Sequence, residues 1–332
     1  MACFGKATIS ICIVNWNAGC QLADCIKSIE IHEKAYLSKV IVVDNASTDK
    51  SLNCLEQLGF PIQLIRSTEN LGFASACNLG AALADGDYIL FLNPDTRMFR
   101  NSISEPLAFM ERPESADVGI CGIQLLDESG EVAHSCARFP TPARVLADVL
   151  GLSKLPWFLG MGVYMSEWDH ATSRDVDHVI GAFFLVRRKL FEELNGFDQR
   201  FFLYLEDVDF SIRAGRIGWR SVYLASARAF HAGGGSSRQV KGARLFYSLQ
   251  SRLLYGFKNF SQIKAWALLI IMLVVEPWNR LAFTLGKGLW SDTRYTLRGY
   301  RMLIHNLPAI LRVAHSKAAI DRLARTGKNL RR

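Results

Sequence analysis

The sequence lacks the features by which several protein classes are recognised. It has no internal repeat and no low-complexity tract, and none of its eight cysteines forms a Cys-x-x-Cys pair. A zinc or redox site of that kind is therefore not indicated, and the cysteines are predicted to be small core residues in a reducing compartment. The first residues show neither the charged stretch nor the cleavage site of a signal peptide, which predicts a cytoplasmic protein.

Acidic residues are scarce in the last part of the chain. Residues 238–332 contain 18 Lys and Arg but three Asp and Glu, whereas residues 1–237 contain 21 and 28. A mildly acidic body suits an enzyme that holds a cation, and a basic tail suits anionic lipid. We therefore predict a catalytic domain over 1–237 and a helical, basic, apolar membrane-surface region over 238–332. Nucleic-acid binding is not expected, because the tail contains long aliphatic runs.

The apolar run at 265–275 has 11 residues, whereas crossing a bilayer takes about 20. We predict an interfacial helix, peripheral on the cytoplasmic face of the cell membrane. A crossing helix, and a helix buried against the catalytic domain, remain alternatives. Polar residues or proline interrupt the run before it continues at 281–285: Pro277, Asn279 and Arg280. Three tryptophans are suited to the headgroup level, and Lys and Arg flank them: Trp266, Trp278 and Trp290.

Apolar runs at 8–14, 40–43 and 88–92 are typical of parallel strands covered on both faces. Segments between them have helical spacing, such as Leu22 and Ile26. Strands alternating with helices predict a doubly wound, mostly parallel α/β sheet. In the region 140–175 the apolar residues have no clear periodicity, and we interpret it as a mobile loop or an insertion on the acceptor side.

Polar segments follow three of the predicted strands: Asn15-Trp16-Asn17, the segment 44–49, and Asn93-Pro94-Asp95-Thr96. Ligands of such sheets bind at the carboxyl ends of the strands, so we predict that all three segments line one crevice. The alternative is that these residues make turns and helix caps, which suits Ser47 to Asp49.

Asp95 is the candidate ligand for a divalent cation. When a sugar nucleotide reacts, its diphosphate leaves with new negative charge, which a cation bound by a hard carboxylate oxygen neutralises. Asn93 lies two residues earlier. On one side of an extended segment, both side chains would reach the same bound nucleotide.

Three carboxylates crowd into the segment 206–209, beside several aromatic residues. One of them could act as the general base that removes a proton from an acceptor hydroxyl. The alternative is an acidic helix start, which we favour for Asp209 but not for Asp207. His231, before a glycine run at 233–235, could be a further metal ligand or an ordinary core or surface residue.

Together these segments resemble the family-2 glycosyltransferases, especially the rhamnosyltransferase-like branch that builds bacterial cell-surface polysaccharides. The matching residues occur in order over about 8–237: Val14-Asn15-Trp16-Asn17, Val43-Asp44-Asn45-Ala46-Ser47-Thr48-Asp49, Asn70-Leu71-Gly72-Phe73-Ala74, Leu92-Asn93-Pro94-Asp95, Gly181-Ala182, Arg187-Arg188, Gly196-Phe197-Asp198, Glu206-Asp207-Val208-Asp209 and His231.

The resemblance implies a GT-A fold and a role for each matching residue. Asp207 would be the catalytic base with Glu206 beside it, and a divalent metal, Mg or Mn, would be bound by Asp95 and His231. Asn93 stands where many relatives have the first aspartate of an Asp-x-Asp motif, so metal affinity is expected to be lower. The remaining residues would bind the nucleotide sugar: Val14, Asn15 and Asp44 at the base and ribose, and Asn70, Gly72 and Asn78 around them.

The predicted function is that of an inverting, metal-dependent glycosyltransferase of polysaccharide biosynthesis in the cell envelope. Its donor would be dTDP-rhamnose and its acceptor a lipid-linked saccharide or polysaccharide. Two alternatives remain at this point: a transferase that uses a UDP- or GDP-sugar, and a catalytically silent nucleotide- or carbohydrate-binding membrane scaffold. The sequence indicates no oligomeric state.

Overall fold

The computed structural model describes residues 7–58, 61–233 and 240–315, which form two compact units. The first, here called the sheet unit, contains the described residues of 1–137, 168–198 and 207–236. The second, the helical unit, contains those of 138–167, 199–206 and 237–332. The domain division predicted at residue 237 therefore differs from the structure in two segments, 138–167 and 199–206, which belong with the C-terminal helices.

The sheet unit is built on one mixed sheet. Numbered along the chain, its described strands lie in the order β3 (Ile62–Arg66), β2 (Leu37–Asp44), β1 (Ile9–Asn15), β4 (Tyr88–Leu92), β11 (Phe183–Arg187), β6 (Val118–Leu126), β12 (Arg220–His231) and β5 (Thr96–Met98). Short strands extend it, with β7 (Val132–Ala133) beside β6 and β9 (Arg174–Val176) beside β12. A separate pair is formed by β8 (Cys136–Ala137) and β10 (His178–Val179).

Strand directions bring several strand ends to one edge of this sheet. The first four strands in that order are parallel, as the apolar runs predict. β11 is antiparallel to both β4 and β6, and β12 is parallel to β6. The carboxyl ends of β1, β2, β4 and β12 therefore meet at the edge where β11 begins.

Helices cover the sheet as their spacing predicts. α1 (Gln21–Glu33) buries Leu22, Ile26 and Ile29 in the same core as Ile11 and Ile13 of β1. α2 (Phe73–Ala81) lies very close to β1, because a Cβ added at Gly80 would meet Cys12 Sγ at 2.3 Å. The other helices of this unit are α3 (Ser104–Met110), α5 (Arg188–Glu193) and α6 (Glu206–Arg216).

Beyond residue 240, the described part of the helical unit consists of helices joined by short turns. It contains α7 (Lys241–Asn259), α8 (Gln262–Ile270), a π-helical turn (Ile271–Val275), α9 (Glu276–Gly286) and α10 (Trp290–His315). The region predicted to be a mobile loop instead begins with a helix, α4 (Pro142–Val149), whose N-cap Thr141 accepts a hydrogen bond from Arg144 N–H at 3.2 Å. Two 3₁₀ turns follow, Leu152–Lys154 and Pro156–Phe158.

A buried cluster of charges joins α7 to α9. Arg252 Nη1 lies 2.9 Å from Glu276 Oε2, and Arg280 Nε donates to Glu276 Oε1 at 2.8 Å. Burial alone would raise the pKa of the Glu276 carboxyl, but the two guanidinium groups outweigh it and lower the pKa. Glu276 is therefore ionised inside the helix packing.

Candidate active site

Asn15 and Asp44 lie side by side where β1 and β2 end. Asn15 is fully buried, and its Nδ2 lies 2.9 Å from Asp44 Oδ1 and 2.8 Å from Ser51 Oγ. The donor group of Asn15, predicted to hold the base or ribose, thus orients Asp44. Val14 is also buried within β1, which leaves Asp44 as the polar candidate of these three.

A loop held by Asn45 follows. Asn45 Oδ1 accepts a hydrogen bond from Leu71 N–H at 2.8 Å, and its Nδ2 donates to Asn70 Oδ1 at 3.0 Å. Gly72 ends the loop with φ +81°, a left-handed conformation that glycine adopts without strain. Asn70 and Gly72, both predicted to line the nucleotide pocket, are thus fixed beside the end of β2. Asn45, in the segment 44–49 predicted to line the crevice, is the residue that holds both in place.

Asn78, predicted to line the nucleotide pocket, is held by the backbone of Phe197. Its Nδ2 donates to Phe197 O at 2.8 Å, and its Oδ1 accepts from Phe197 N–H at 2.9 Å. Both polar atoms of the side chain bond to the backbone of Phe197, so Asn78 links α2 to the segment of Gly196 and Phe197.

Asn93, Asp95 and His231 come together through the pairing of β5 with β12. Thr96 is opposite His231 in this antiparallel pair, and Ala232 N–H donates to Asp95 O at 3.1 Å. His231 Nε2 consequently lies 3.3 Å from Asp95 Oδ1 and 3.5 Å from Asn93 Nδ2. The segment is a turn, closed by Thr96 N–H to Asn93 O at 3.2 Å, rather than the extended segment predicted. Both side chains nevertheless point to one imidazole.

The donor set at this turn fits a metal that is shared with a substrate. Within the described residues, no group of three or more His, Cys, Asp and Glu side chains could hold a metal ion. Asp95 and His231 offer one carboxylate and one imidazole, and a hard cation bound there would complete its shell with phosphate oxygens and water. Of the glycine run that follows His231, residues 234 and 235 lie outside the described residues.

Asp207 is held in a fixed orientation in the first turn of α6. Its Oδ2 accepts from Gly181 N–H at 2.8 Å, and its Oδ1 accepts from Val208 N–H at 2.8 Å. The two residues before α6, Tyr204 and Leu205, have φ values of +70° and +65°. Such angles are costly for residues other than glycine and are concentrated at functional sites.

The other two carboxylates of this segment are buried. Asp209 Oδ2 pairs with Arg213 Nε at 2.9 Å, and the same guanidinium donates to the carbonyls of Leu194 and Gly196 at 2.8 Å each. Asp209 is therefore a structural residue of α6, the alternative that the sequence favoured. Glu206, predicted to lie beside the base, is 5% exposed.

The start of β11 connects Asp207 to the turn that bears Asp95. Gly181 N–H donates to the Asp207 carboxylate, and Ala182 O accepts from Asn93 N–H at 3.0 Å. Two consecutive residues thus hold both the Asp207 carboxylate and the turn that bears Asp95. The site therefore combines a carboxylate–imidazole pair suited to a cation or phosphate with a second, oriented carboxylate.

The buried thiol of Cys25 lies beneath the turn. Its Sγ is 3.8 Å from Asn93 O. Burial, and then the charges of Asp95 and Asp24, raise the pKa of this thiol well above its ordinary value. Cys25 is thus a neutral thiol and not a nucleophile.

An open cleft of about 560 Å³ lies on the opposite edge of the sheet, away from the carboxylates and the imidazole described above. None of the predicted site residues lines it, and it is bordered by Asp117, Lys189, Glu192 and Trp219 among others. The strand ends described above remain the candidate site.

The mixed sheet and its flanking helices have the GT-A fold, as predicted. A mannosyltransferase of Pyrobaculum calidifontis, solved with GDP-Man and Mn²⁺, aligns over 98% of this chain and 81% of its own, with a TM-score of 0.53 and 16% identity. TarS of S. aureus, solved with UDP-GlcNAc, aligns over 94% and 82% with a TM-score of 0.52 and 16% identity. At these identities the likeness concerns the fold alone.

The chain belongs to glycosyl transferase family 2, whose family model matches residues 10–195. The N-acetylglucosaminyl-diphospho-decaprenol L-rhamnosyltransferase of Mycobacterium tuberculosis is 31% identical over 237 residues, which is 67% of this chain and 75% of that protein. The rhamnosyltransferase WbbL of Escherichia coli K12 is 31% identical over 192 residues, 55% of this chain and 69% of its own. The predicted resemblance to the rhamnosyltransferase-like branch is confirmed, and the chain is a glycosyltransferase.

Proposed function

We propose that this enzyme transfers L-rhamnose from dTDP-rhamnose, with inversion, to a hydroxyl of a lipid-linked or polysaccharide acceptor of the cell envelope. Its place would be peripheral, at the cytoplasmic face of the membrane. Similarity to two rhamnosyltransferases supports the sugar, and the name of one supports an acceptor on a polyprenyl diphosphate. The reaction type rests on the anchoring of Asp207 and of the Asp95–His231 pair at the start of β11.

Donor binding is assigned to the ends of β1, β2 and β4. Asp44, kept in orientation by Asn15, and Asn70, kept by Asn45, would hold the nucleoside. Asp95 and His231 lie where the diphosphate would follow, and Asn93 adds an amide donor for a phosphate oxygen. A divalent ion held by Asp95 and His231, Mg or Mn, would supply the positive charge that stabilises the departing diphosphate.

Asp207 is the proposed base. Its carboxylate takes the proton of the acceptor hydroxyl while that oxygen attacks the anomeric carbon, and the bond from this carbon to the diphosphate oxygen breaks. Backbone N–H groups of Gly181 and Val208 fix the carboxylate for this transfer. A single displacement inverts the anomeric carbon and needs no enzyme nucleophile, in keeping with the neutral thiol of Cys25.

Transfer assays with the full chain test this proposal. The acceptor is a short polyprenyl-diphosphate N-acetylglucosamine, and the donors are dTDP-rhamnose, UDP-N-acetylglucosamine, UDP-galactose and GDP-mannose, each with Mg²⁺, Mn²⁺ or a chelator. We expect metal-dependent transfer from dTDP-rhamnose, with the anomeric configuration inverted by NMR. Transfer from a UDP- or GDP-sugar alone would overturn the donor assignment, and nucleotide binding without transfer from any donor would favour the silent scaffold.

A further inference from the structure

An apolar stripe is exposed along the continuous helix Gln262–Gly286. This helix is long and apolar enough to cross a membrane, yet only 28% of its most apolar window is buried. Exposed large side chains recur every four residues at Trp266, Ile270, Val274 and Trp278. Residues four positions apart differ in direction by about 40° around an α-helix. The π turn at Ile271–Val275 has more residues per turn, which keeps the four side chains closer to one face.

The opposite side of the same helix is apolar as well. Ala265, Leu268 and Met272 are buried, and α8 packs on α7. A helix that is hydrophobic all round belongs in a protein core or in contact with lipid. The exposed stripe is therefore an unpartnered apolar surface within the helical unit.

A second exposed apolar segment, 155–161, lies in the helical unit. Trp157 is 92% exposed, in the 3₁₀ turn Pro156–Phe158. Its exposed apolar neighbours are Leu155, Phe158, Leu159 and Met161. An exposed cluster with this many large side chains marks an interaction surface.

This segment has a defined structure and follows α4, which packs against the helix 262–286. Asp148 Oδ2 accepts from Val163 N–H at 2.9 Å, which closes the loop onto the end of α4. A Cβ at Gly162 would meet Asp148 Oδ1 at 2.3 Å, so the closure needs glycine. Asn279, next to Trp278, donates to Val149 O, and α4 packs against α8 and the π turn.

The charges around both apolar elements select an anionic partner. Residues 240–315 contain eleven Lys and Arg but two Asp and Glu, and both acids are in ion pairs, Glu276 with Arg252 and Asp292 with Lys241. Lys154, Lys264 and Lys287 are exposed next to the apolar side chains. A second copy of this chain would bring like charges together, whereas anionic lipid headgroups would be attracted at about 1 kcal/mol per basic residue.

We propose that the segment 155–161 inserts into the interface of an anionic bilayer together with the exposed stripe of helix 262–286. The helical unit then binds the membrane through two apolar elements, one of them outside the C-terminal region. This inference deepens the proposed function and rests on its location at a membrane surface, but not on the donor or the acceptor.

The test is binding of the full chain to vesicles of phosphatidylglycerol and phosphatidylcholine, measured by flotation. The double variant Trp157→Ser, Phe158→Ser should bind about tenfold or more weakly at high and low salt, since it loses two large apolar contacts. Ile31→Ser is the control, because Ile31 is equally apolar and 73% exposed on the sheet unit, and it should bind like wild type. The triple variant Lys154→Gln, Lys264→Gln, Lys287→Gln should weaken binding at low salt only.

Insertion itself is measured by quenching of tryptophan emission with brominated lipids. Trp157→Phe should reduce the quenched fraction, whereas Trp219→Phe, changed on the sheet unit, should leave it unchanged.

Undiminished binding of the double variant would overturn the inference, as would a wild-type dimer in vesicle-free solution that this variant dissociates. If wild type shows no transfer but the vesicle results hold, the proposed function fails and the membrane contact stands.

Discussion

Single residues in this site owe their places to hydrogen bonds between distant parts of the chain. His231 approaches Asp95 because β12 pairs with β5, and Asp207 approaches the same region because Gly181 donates to its carboxylate. Each side chain is held by backbone geometry rather than by a flexible loop. Small changes of side-chain chemistry should therefore alter function without disturbing the fold.

Asp207→Asn is the sharpest test of the base. The amide has the same shape and retains an acceptor for a backbone N–H, but it cannot take the acceptor's proton. We expect the transfer rate to fall by about 10²–10⁴-fold, with unchanged affinity for dTDP measured by calorimetry. Glu193→Gln, an exposed change on α5, serves as control and should keep the wild-type rate. An Asp207→Asn enzyme with most of its activity would remove Asp207 from this role.

Asp95→Ala tests the proposed metal site. The variant retains the imidazole of His231 but loses the carboxylate, so Mn²⁺ should bind the enzyme–nucleotide complex at least about tenfold more weakly. Electron paramagnetic resonance titration of Mn²⁺ measures this without turnover. Asp127→Asn, in an exposed turn, should leave the titration unchanged. Equal Mn²⁺ affinity in the Asp95→Ala variant would contradict the assignment.

At the scale of elements, the sequence predicted what local periodicity encodes. The continuous apolar runs of β1, β2 and β4, and the spacing of α1, identified buried strands and a covering helix close to their observed bounds. The antiparallel pairing of β11 with β4 and the pairing of β12 with β5 join residues more than 80 positions apart. No local sequence pattern encodes such contacts.

The same limit applies to the site. A position after a strand indicates which edge a residue lies on, but not whether its side chain points into the crevice. Asn15 and Asn78 were both expected at the nucleotide, yet their amides are used by Asp44 and by the backbone of Phe197. Asp209 was separated from Asp207 because an acidic residue is favourable at a helix start, and in the structure it pairs with Arg213.

α7 anchors the strained segment before Asp207. Ser251 Oγ donates to Leu203 O at 2.7 Å, and the rings of Tyr247 and Phe202 stack with centroids 4.4 Å apart. Ser251→Ala removes the hydrogen bond, which should lower kcat several-fold while KM for the donor stays the same, with a loss of about 1 kcal/mol of stability. Ser248→Ala on the same helix is the matched control. A changed donor KM with an unchanged kcat would show that α7 does not position the base.

The buried cluster of Glu276 predicts a pH-dependent contribution to the packing of α7 and α9. Replacing Glu276 with Gln leaves Arg252 without its charge partner, which should cost about 3–5 kcal/mol. Because the pKa of Glu276 is lowered below its ordinary value of 4.5, this difference from wild type should be complete above that pH. It should shrink as the pH falls through the lower pKa of the folded protein. Thermal unfolding from pH 3 to 7 measures it.

Asp292→Asn is the control for the Glu276 cluster, since its ion pair with Lys241 is exposed and should contribute under about 1 kcal/mol. A destabilisation of Glu276→Gln that stays constant down to pH 3 would show that the carboxylate charge is not its cause.

On the scale of the whole molecule, charge is divided between two tasks. Residues 1–237 are net acidic and contain the proposed cation site, whereas the basic residues are concentrated after 238, where large apolar side chains are exposed. Fold and family fix the first part as a glycosyltransferase. The second part is suited to an anionic surface. Binding of a lipid-embedded acceptor should therefore depend on salt and on lipid charge, whereas the chemical step should not.

This division predicts a selective effect of salt on catalysis. With acceptor embedded in phosphatidylglycerol vesicles, the apparent KM for acceptor should rise severalfold as ionic strength increases, because the Debye length falls from about 10 Å at 0.1 M to about 3 Å at 1 M. With a water-soluble acceptor, or with vesicles of phosphatidylcholine alone, KM should change little, since attraction to an anionic surface is then absent. Initial rates at saturating donor measure all three series. Equal salt dependence in the three would show that the basic tail does not recruit the enzyme to its lipid-linked substrate, whatever other role its charge has.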